Sequence, residues 1–323
     1  MLKWGILGTG AIAKKFAEGL PLCRSGELVA VGSRDLARAE HFCSEFGGRA
    51  MGDYAAVLDD PAVEAVYISL PHHMHAEWTI RAAEAGKHIL CEKPFVLTRD
   101  EAVQCIEAVE KAGVFFMEAF MYRVHPQTLT VHELLQNGVI GQPKTMHAEF
   151  GYTSQRAADA FRFDGSVGGG ALMDVGCYPI SLARFVAGCE PNQASYSAEL
   201  ATSADGHSKY DAYGTGELIF PTGFRTTFQC GMHVQMNNWA TIFGELGRIH
   251  ITSPWFCNGP LFVQLNGKEP EPISVKAVPH LWGNQSVVVD QLLARKQAPF
   301  MSWKDSVAQA SILERLRLAA GIG

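Results

Sequence analysis

The sequence predicts an α/β amino-terminal Rossmann domain followed by an α+β carboxy-terminal domain with a large, mostly antiparallel open sheet. Three observations predict it. From Leu2 to about Phe120 short apolar runs alternate with Ala- and charge-rich helical stretches, the grammar of parallel strands covered by crossover helices. A glycine-rich turn, Gly8-x-Gly10-x-x-Ala13, joins the first run to the first helical stretch. Beyond Arg123 several strand-like runs follow one another directly, with turns such as Pro221-Thr222-Gly223 between them, the pattern of antiparallel pairing. At roughly 100 to 200 residues per domain, 323 residues make two domains.

The elements follow in order. Leu2 to Leu7 reads as the first strand, Glu27 to Gly32 as the second, and Val63 to Leu70, Lys87 to Cys91 and Val114 to Glu118 as later ones. Each is a short, near-continuous apolar run, as strands covered on both faces are. Ile12 to Leu20, Leu36 to Phe46, His75 to Ala85 and Thr98 to Ala112 repeat their apolar residues at helical spacing. After a short hinge near 120–125 come a helix over Pro126 to Gln136, a strand near Lys144 to Tyr152, and a turn at Gly168 to Gly170 that opens another helix. Strands Glu217 to Phe220, Phe224 to Cys230, Trp239 to Gly244 and Arg248 to Ile251 precede two helical stretches, Gly283 to Leu293 and Lys304 to Leu318.

Composition narrows the function classes. Lys and Arg number 27 against 33 Asp and Glu, a net charge of -6, so the chain carries no basic field for a nucleic acid. No segment reaches the roughly 18 apolar residues of a membrane span, and the apolar run within Met1 to Gly10 is too short for a secretory core. A cytoplasmic protein is expected. Eight cysteines (Cys23, Cys43, Cys91, Cys105, Cys177, Cys189, Cys230, Cys257) without a C-x-x-C pair argue against a disulfide framework or a thiolate metal site.

The glycine turn has a chemical reading. Gly8 permits the tight turn, Gly10 lets the backbone approach a pyrophosphate, and Ala13 lets the helix pack closely while its amino end faces the anion. Thr9, Ala11 and Ile12 complete the loop. This makes residues 1–121 a dinucleotide-binding domain and leaves 122–323 as the second, α+β domain. The second strand ends in Ser33, Arg34 and Asp35, with Arg38 one helical turn on. A hydroxyl and two guanidiniums suit a ribose 2'-phosphate, so NADP is expected rather than NAD.

Glu92-Lys93-Pro94 stands at the end of the fifth strand, and carboxyl ends of parallel strands face the ligand crevice. In the second half Asp174 and Tyr178 lie four residues apart, on one face of the helix opened by the glycines. A phenol with an ordinary pKa near 10 becomes a proton shuttle when a cation lies close. Lys93 is the candidate cation. Phe150, Trp255, Phe256, Trp282 and Met121 are candidate walls of a substrate pocket.

Gly8 and Gly10, Glu92-Lys93-Pro94 and the stretch Gly169-Gly170-Ala171-Leu172-Met173-Asp174-Val175-Gly176-Cys177-Tyr178 together resemble the glucose-fructose oxidoreductase, inositol dehydrogenase and rhizopine-catabolism (Gfo/Idh/MocA) family over essentially the whole chain. Trp4-Gly5-Ile6, Ser33-Arg34-Asp35, Met117-Glu118-Ala119-Phe120 and Tyr178 resemble the branch of dimeric dihydrodiol dehydrogenases and NADP-dependent D-xylose dehydrogenases. The inositol dehydrogenase branch has histidine where this chain has Tyr178, which favours sugar-like or dihydrodiol substrates over cyclitols. The resemblance implies that Lys93 and Tyr178 contact the reacting oxygen and that Asp174 orients Lys93 or the substrate. It places Leu70, Pro71, His72 and His75, with Glu92 and Lys93, about the nicotinamide, and it implies a homodimer formed through the free sheet face. Phe228 and Ile242 are expected on that face. Arg123 and Arg162 fall in family-typical contexts with no role implied.

The implied activity is hydride transfer between a nicotinamide and a carbinol or carbonyl carbon. No metal is expected, because His72, His73 and His75 lack a complementary ligand set. Short-chain dehydrogenases also pair tyrosine with lysine, but spaced Tyr-x-x-x-Lys, which this sequence lacks. A catalytically inert NAD(P)- or sugar-sensing regulator on the same fold is the alternative, and retention of Lys93, Asp174 and Tyr178 together argues against it.

Overall fold

A computed structural model of the chain describes residues 1–154, 161–204 and 206–322. It divides into two compact units, Met1–Val124 with Val278–Val307, and His125–Ala277 with residues 308–322.

The first unit is built on six parallel strands in the order β3-β2-β1-β4-β5-β6. They are β1 (Leu2–Leu7), β2 (Gly26–Gly32), β3 (Arg49–Met51), β4 (Ala65–Ile68), β5 (His88–Cys91) and β6 (Phe116–Glu118). Every residue of β4 is buried, and in β1 only Lys3 is exposed, as expected of strands covered on both faces. The cover comes from α1 (Ala11–Cys23), α2 (Leu36–Phe46), α3 (Tyr54–Asp59), α4 (His75–Glu84) and α5 (Arg99–Ala112). Phe16 of α1 stacks on Tyr67 of β4 at 4.1 Å and meets Trp4 of β1 edge-on at 5.0 Å. The strand order reverses between β1 and β4, which opens a crevice at their carboxyl ends. Thr98 and Glu101 form a reciprocal capping box that starts α5 on the residue after Thr98.

α8 (Leu281–Leu292) and the start of α9 (Trp303–Ala319) also pack with this unit, although the sequence reading placed both in the second domain. The Ser25 and Ser286 hydroxyls bond each other, and Gly19 fits so closely on α8 that an added methyl would come within 2.6 Å of the Gly283 nitrogen. Arg123, buried, pairs with Asp305 at 3.1 Å and donates to the Phe300 carbonyl at 2.6 Å.

The second unit carries α6 (Pro126–Gln136), α7 (Cys177–Ala187) and eight strands in the order β14-β13-β12-β11-β7-β10-β9-β8. These are β7 (Pro143–Gly151), β8 (Gln193–Thr202), β9 (Lys209–Ile219), β10 (Arg225–Gly231), β11 (Ala240–Gly244), β12 (Gly247–Ile251), β13 (Leu261–Leu265) and β14 (Glu271–Ile273). Only the central pair β10 and β7 runs parallel.

Burial alternates along β7 and β10, so the two faces separate cleanly. Phe228 lies opposite Ala148 and Ile242 opposite Met146, and all four are buried. The expectation that Phe228 and Ile242 lie on the free face is therefore corrected: parity puts them on the face toward α7, where Phe228 stacks on Tyr196 at 6.0 Å. The opposite face is polar. Thr227 pairs with His147, His147 with Thr241 and Thr241 with His250 across four strands. Among the described residues no helix is long and apolar enough to cross a membrane.

Candidate active site

The glycine turn of the first unit is shaped as a cradle. Gly8 has φ +104° and donates its N–H to the Gly32 carbonyl at 3.0 Å, a conformation that L side chains rarely adopt. Gly10 is the extended N-cap of α1 with no side-chain cap, and a Cβ there would meet nothing within 4 Å. The helix thus offers unsatisfied N–H groups to open space, and a diphosphate fits them. Thr9 and Ile12 are half-buried, Gly10 and Ala11 exposed, and Ala13 is fully buried against the sheet.

At the end of β2 the Ser33 hydroxyl accepts the Asp35 N–H at 3.2 Å. The Asp35 carboxylate caps α2 by accepting the Ala37 N–H at 3.0 Å, and it lies 3.5 Å from the Arg38 Nε. Arg34 and Arg38 are exposed. An open groove of about 550 Å³ runs between Thr9, Gly10 and Lys14 on one side and Ala37, Arg38, His41 and Phe42 on the other. Sequence reading missed Lys14 and His41. Their signal was helical spacing, since Lys14 lies four residues beyond Gly10 and His41 three beyond Arg38. Both pair with Glu45, at 2.8 Å and 2.9 Å, and the Lys14 hydrogen bond holds the Glu45 carboxyl below its ordinary range.

Across the crevice, Leu70 and His72 are buried, Pro71 is half-buried and His73 is exposed. His75 is fully buried behind the loop. Its Nε2 lies 2.8 Å from the Leu70 carbonyl oxygen, and its Nδ1 lies 3.0 Å and 3.1 Å from those of Pro94 and Phe95. One imidazole therefore lies between the loop after β4 and the loop after β5 and, when neutral, donates its single N–H to one of them. Burial outweighs these carbonyls and holds His75 below its ordinary pKa. Lys93 and Glu92 are half-buried; the Lys93 N–H donates to one Glu92 oxygen at 3.3 Å while the Tyr67 hydroxyl donates to the other. Glu118 steadies the same loop by accepting the Phe95 N–H at 3.0 Å.

In the second unit Gly168 and Gly170, both at positive φ, lead into a π-helical turn over Leu172–Gly176 that runs on into α7. Such single wide turns recur at functional sites. Asp174 sits in this turn and Tyr178 in the first turn of α7. The Asp174 carboxylate accepts the Tyr152 hydroxyl at 2.6 Å and pairs with the Arg162 Nε at 3.3 Å. Arg162 thereby gains a position that its context in the sequence did not give.

The Tyr178 ring meets Phe150 edge-on at 5.2 Å and Trp255 at 5.8 Å, while Phe150 and Trp255 stack at 5.7 Å. Trp255 is held by donating to the Glu149 carbonyl at 3.0 Å, and Phe256 beside Phe150 is 40% exposed. Met121 and Trp282 belong to the first unit, as does Lys93. Among the described residues no group of three His, Cys, Asp or Glu side chains could hold a metal ion.

The comparisons with known proteins bear on this geometry. Residues 2–120 match the family model for an oxidoreductase family with an NAD-binding Rossmann fold, and residues 128–250 match the GFO/IDH/MocA C-terminal domain. The chain is 31% identical to trans-1,2-dihydrobenzene-1,2-diol dehydrogenase of Mus musculus over 99% of its own length and 97% of that protein. The chain belongs to the Gfo/Idh/MocA oxidoreductase family. A relative from Haloferax volcanii, D-xylose 1-dehydrogenase (NADP(+)) 2, is 41% identical over 58% of each chain. Among solved structures, KijD10, a 3-ketoreductase from Actinomadura kijaniata in complex with NADP and TDP-benzene, matches with a TM-score of 0.85 at 30% identity, covering 98% of this chain and 97% of that one. This Gfo/Idh/MocA member is an oxidoreductase, with the Rossmann domain and mostly antiparallel second sheet that the family shares.

Proposed function

We propose that this Gfo/Idh/MocA enzyme is an NADP-dependent oxidoreductase that moves a hydride between the nicotinamide and a carbinol or carbonyl carbon of a sugar, polyol or trans-dihydrodiol. The observation that carries the reading is the π-helical turn and the start of α7, which hold Asp174 on Tyr152 and Arg162 and set Tyr178 beside the Phe150 and Trp255 rings. When bound, NADP supplies the hydride acceptor at the nicotinamide C4. The rest of the work falls to the chain.

Gly8, Gly10 and the open amino end of α1 hold the diphosphate. Ser33, Arg34 and Arg38, with Lys14 along the same groove, take the 2'-phosphate. Leu70, Pro71 and His72 line the nicotinamide side, while His75 and Glu92 fix the two loops from behind. Tyr178 carries the hydroxyl proton away in oxidation and returns it in reduction, and Lys93 holds the developing alkoxide. Asp174, already held by Tyr152 and Arg162, orients the substrate or Lys93 rather than taking the proton itself. Relatives named for D-xylose and for a trans-dihydrodiol support the substrate class. Eight cysteines without a C-x-x-C pair fit a reducing cytoplasm.

The test is steady-state turnover with NADP against a panel of aldoses, polyols, inositols and trans-dihydrodiols, in wild type and Tyr178→Phe. The variant should lose at least about a hundredfold in kcat, the range of general acid–base catalysis, with NADP affinity unchanged. Equal turnover would end the assignment of Tyr178.

A further inference from the structure

Behind the π-helical turn that bears Asp174 and leads into Tyr178 lies a carboxylate that hydride transfer does not use. Asp211, on β9, is 0% exposed. Its Oδ2 accepts two hydrogen bonds of 2.6 Å, one from the Leu172 N–H and one from the Tyr196 hydroxyl. Leu172 is the first residue of the π-helical turn, and amides at the start of a helix have no acceptor within it. The other oxygen, Oδ1, is buried with no hydrogen-bond partner among the described residues. It lies against Gly170, where an added Cβ would come within 1.9 Å of it. Gly170, at φ +116°, is therefore the residue that lets the chain pass this carboxylate. Burying a charge is costly unless it is paired, and an apolar side chain would fill the same space without that cost.

We propose that Asp211 is a positioning residue of the reaction: its ionised carboxylate clamps the first amide of the π-helical turn and so fixes where Asp174 and Tyr178 stand. The inference rests on the reading of Tyr178 given above.

Three titratable or charged groups face Asp211 from the elements around it. Tyr196 comes from β8, Cys230 from β10 and Arg317 from α9, with Cys177 of α7 beyond Cys230. Burial pushes the Asp211 carboxyl up to about 6 against the lowering pull of Tyr196, Leu172 and Arg317. Burial also pushes the Cys230 thiol and the Tyr196 phenol far above their ordinary values, so both stay neutral. As the pH falls through the Asp211 value, the carboxylate takes a proton, its grip on the Leu172 amide weakens and turnover drops.

The experiment follows kcat against pH for NADP reduction with whichever of D-xylose, D-glucose and trans-1,2-dihydrobenzene-1,2-diol the wild type oxidises fastest. Wild type should show a one-proton acid limb near pH 6. Asp211→Asn should abolish that limb and lower the plateau roughly tenfold, since a neutral amide is a weaker acceptor than a carboxylate. Tyr196→Phe removes one donor from the carboxylate and should move the limb upward by about half a pH unit or more. NADP affinity should be alike in all three. An unchanged limb and plateau in Asp211→Asn would overturn the proposal, and should that variant fail to fold, an unmoved limb in Tyr196→Phe would do so. Full turnover in Tyr178→Phe would instead overturn the reading on which it rests.

Discussion

Arg34 and Arg38 flank a carboxylate that is already committed: Asp35 caps α2 through the Ala37 amide. Under the proposed NADP reading, a ribose 2'-phosphate in the groove would meet the Arg38 guanidinium and the Lys14 ammonium, with Arg34 exposed at the end of β2 and Glu45 as the acidic group paired to that lysine. Hydrogen bonds to charged groups are worth about 1.5–3 kcal/mol each. Replacing both arginines by alanine should raise KM for NADP about a hundredfold or more and leave KM for NAD within about twofold. Steady-state kinetics with the two cofactors reads this directly, and an equal rise for both would assign the arginines to the fold. The residues of this site were legible in the sequence where one short segment carries the whole constraint, as at Gly8 and Gly10. They were illegible where partners arrive from distant segments. No spacing connects Asp174 with Tyr152 and Arg162, or Leu172 with Asp211; only the packing of β7 and β9 around the turn does.

His75 illustrates an element-scale constraint, because its single buried ring packs between the loops after β4 and β5. Its folded-state pKa lies below the ordinary value of 6.5 because the ring is buried. Between pH 7 and pH 5 the unfolded chain takes up a proton that the folded chain resists, so the stability due to this group is present above about pH 6.5 and falls as the pH falls. Urea unfolding at pH 7 and pH 5 should show that loss in wild type, by at most about 1.4 kcal/mol per pH unit from this residue. His75→Gln should flatten the slope; an unaltered slope would remove His75 from the account. Among the elements, most helices of ten residues or more were legible to within a few residues, as with Leu36–Phe46 and Pro126–Gln136. β3 and α3, three and six residues long, carry too little periodicity to be seen. β8 was overlooked for another reason: it is half-exposed and rich in Ser and Ala rather than in β-branched residues.

At the scale of the whole molecule, the open face of the second sheet shows Thr227, His147, Glu149 and Trp239 rather than the apolar side chains expected of it. A homodimer using this face would be held by polar pairs, with Trp239 as its large apolar contribution. Sedimentation equilibrium at micromolar concentration should give twice the mass of the chain. A lone monomer there would rule the dimer out. The two domains were legible because the alternation of apolar and helical runs stops near Phe120, but the return of Val278–Val307 to the first unit was not. A buried salt bridge such as Arg123 with Asp305 leaves no local trace in the sequence.

That return has a consequence for biosynthesis. A nascent chain that has cleared the ribosome only as far as Val124 has made its whole parallel sheet, yet it leaves bare the flank of α1 where Gly19 and Ser25 await Gly283 and Ser286. At roughly 5–20 residues per second, translation of the intervening stretch takes on the order of ten seconds or more. For that interval the nucleotide-binding half exists without its seal, the period when a holding chaperone would find most to grip.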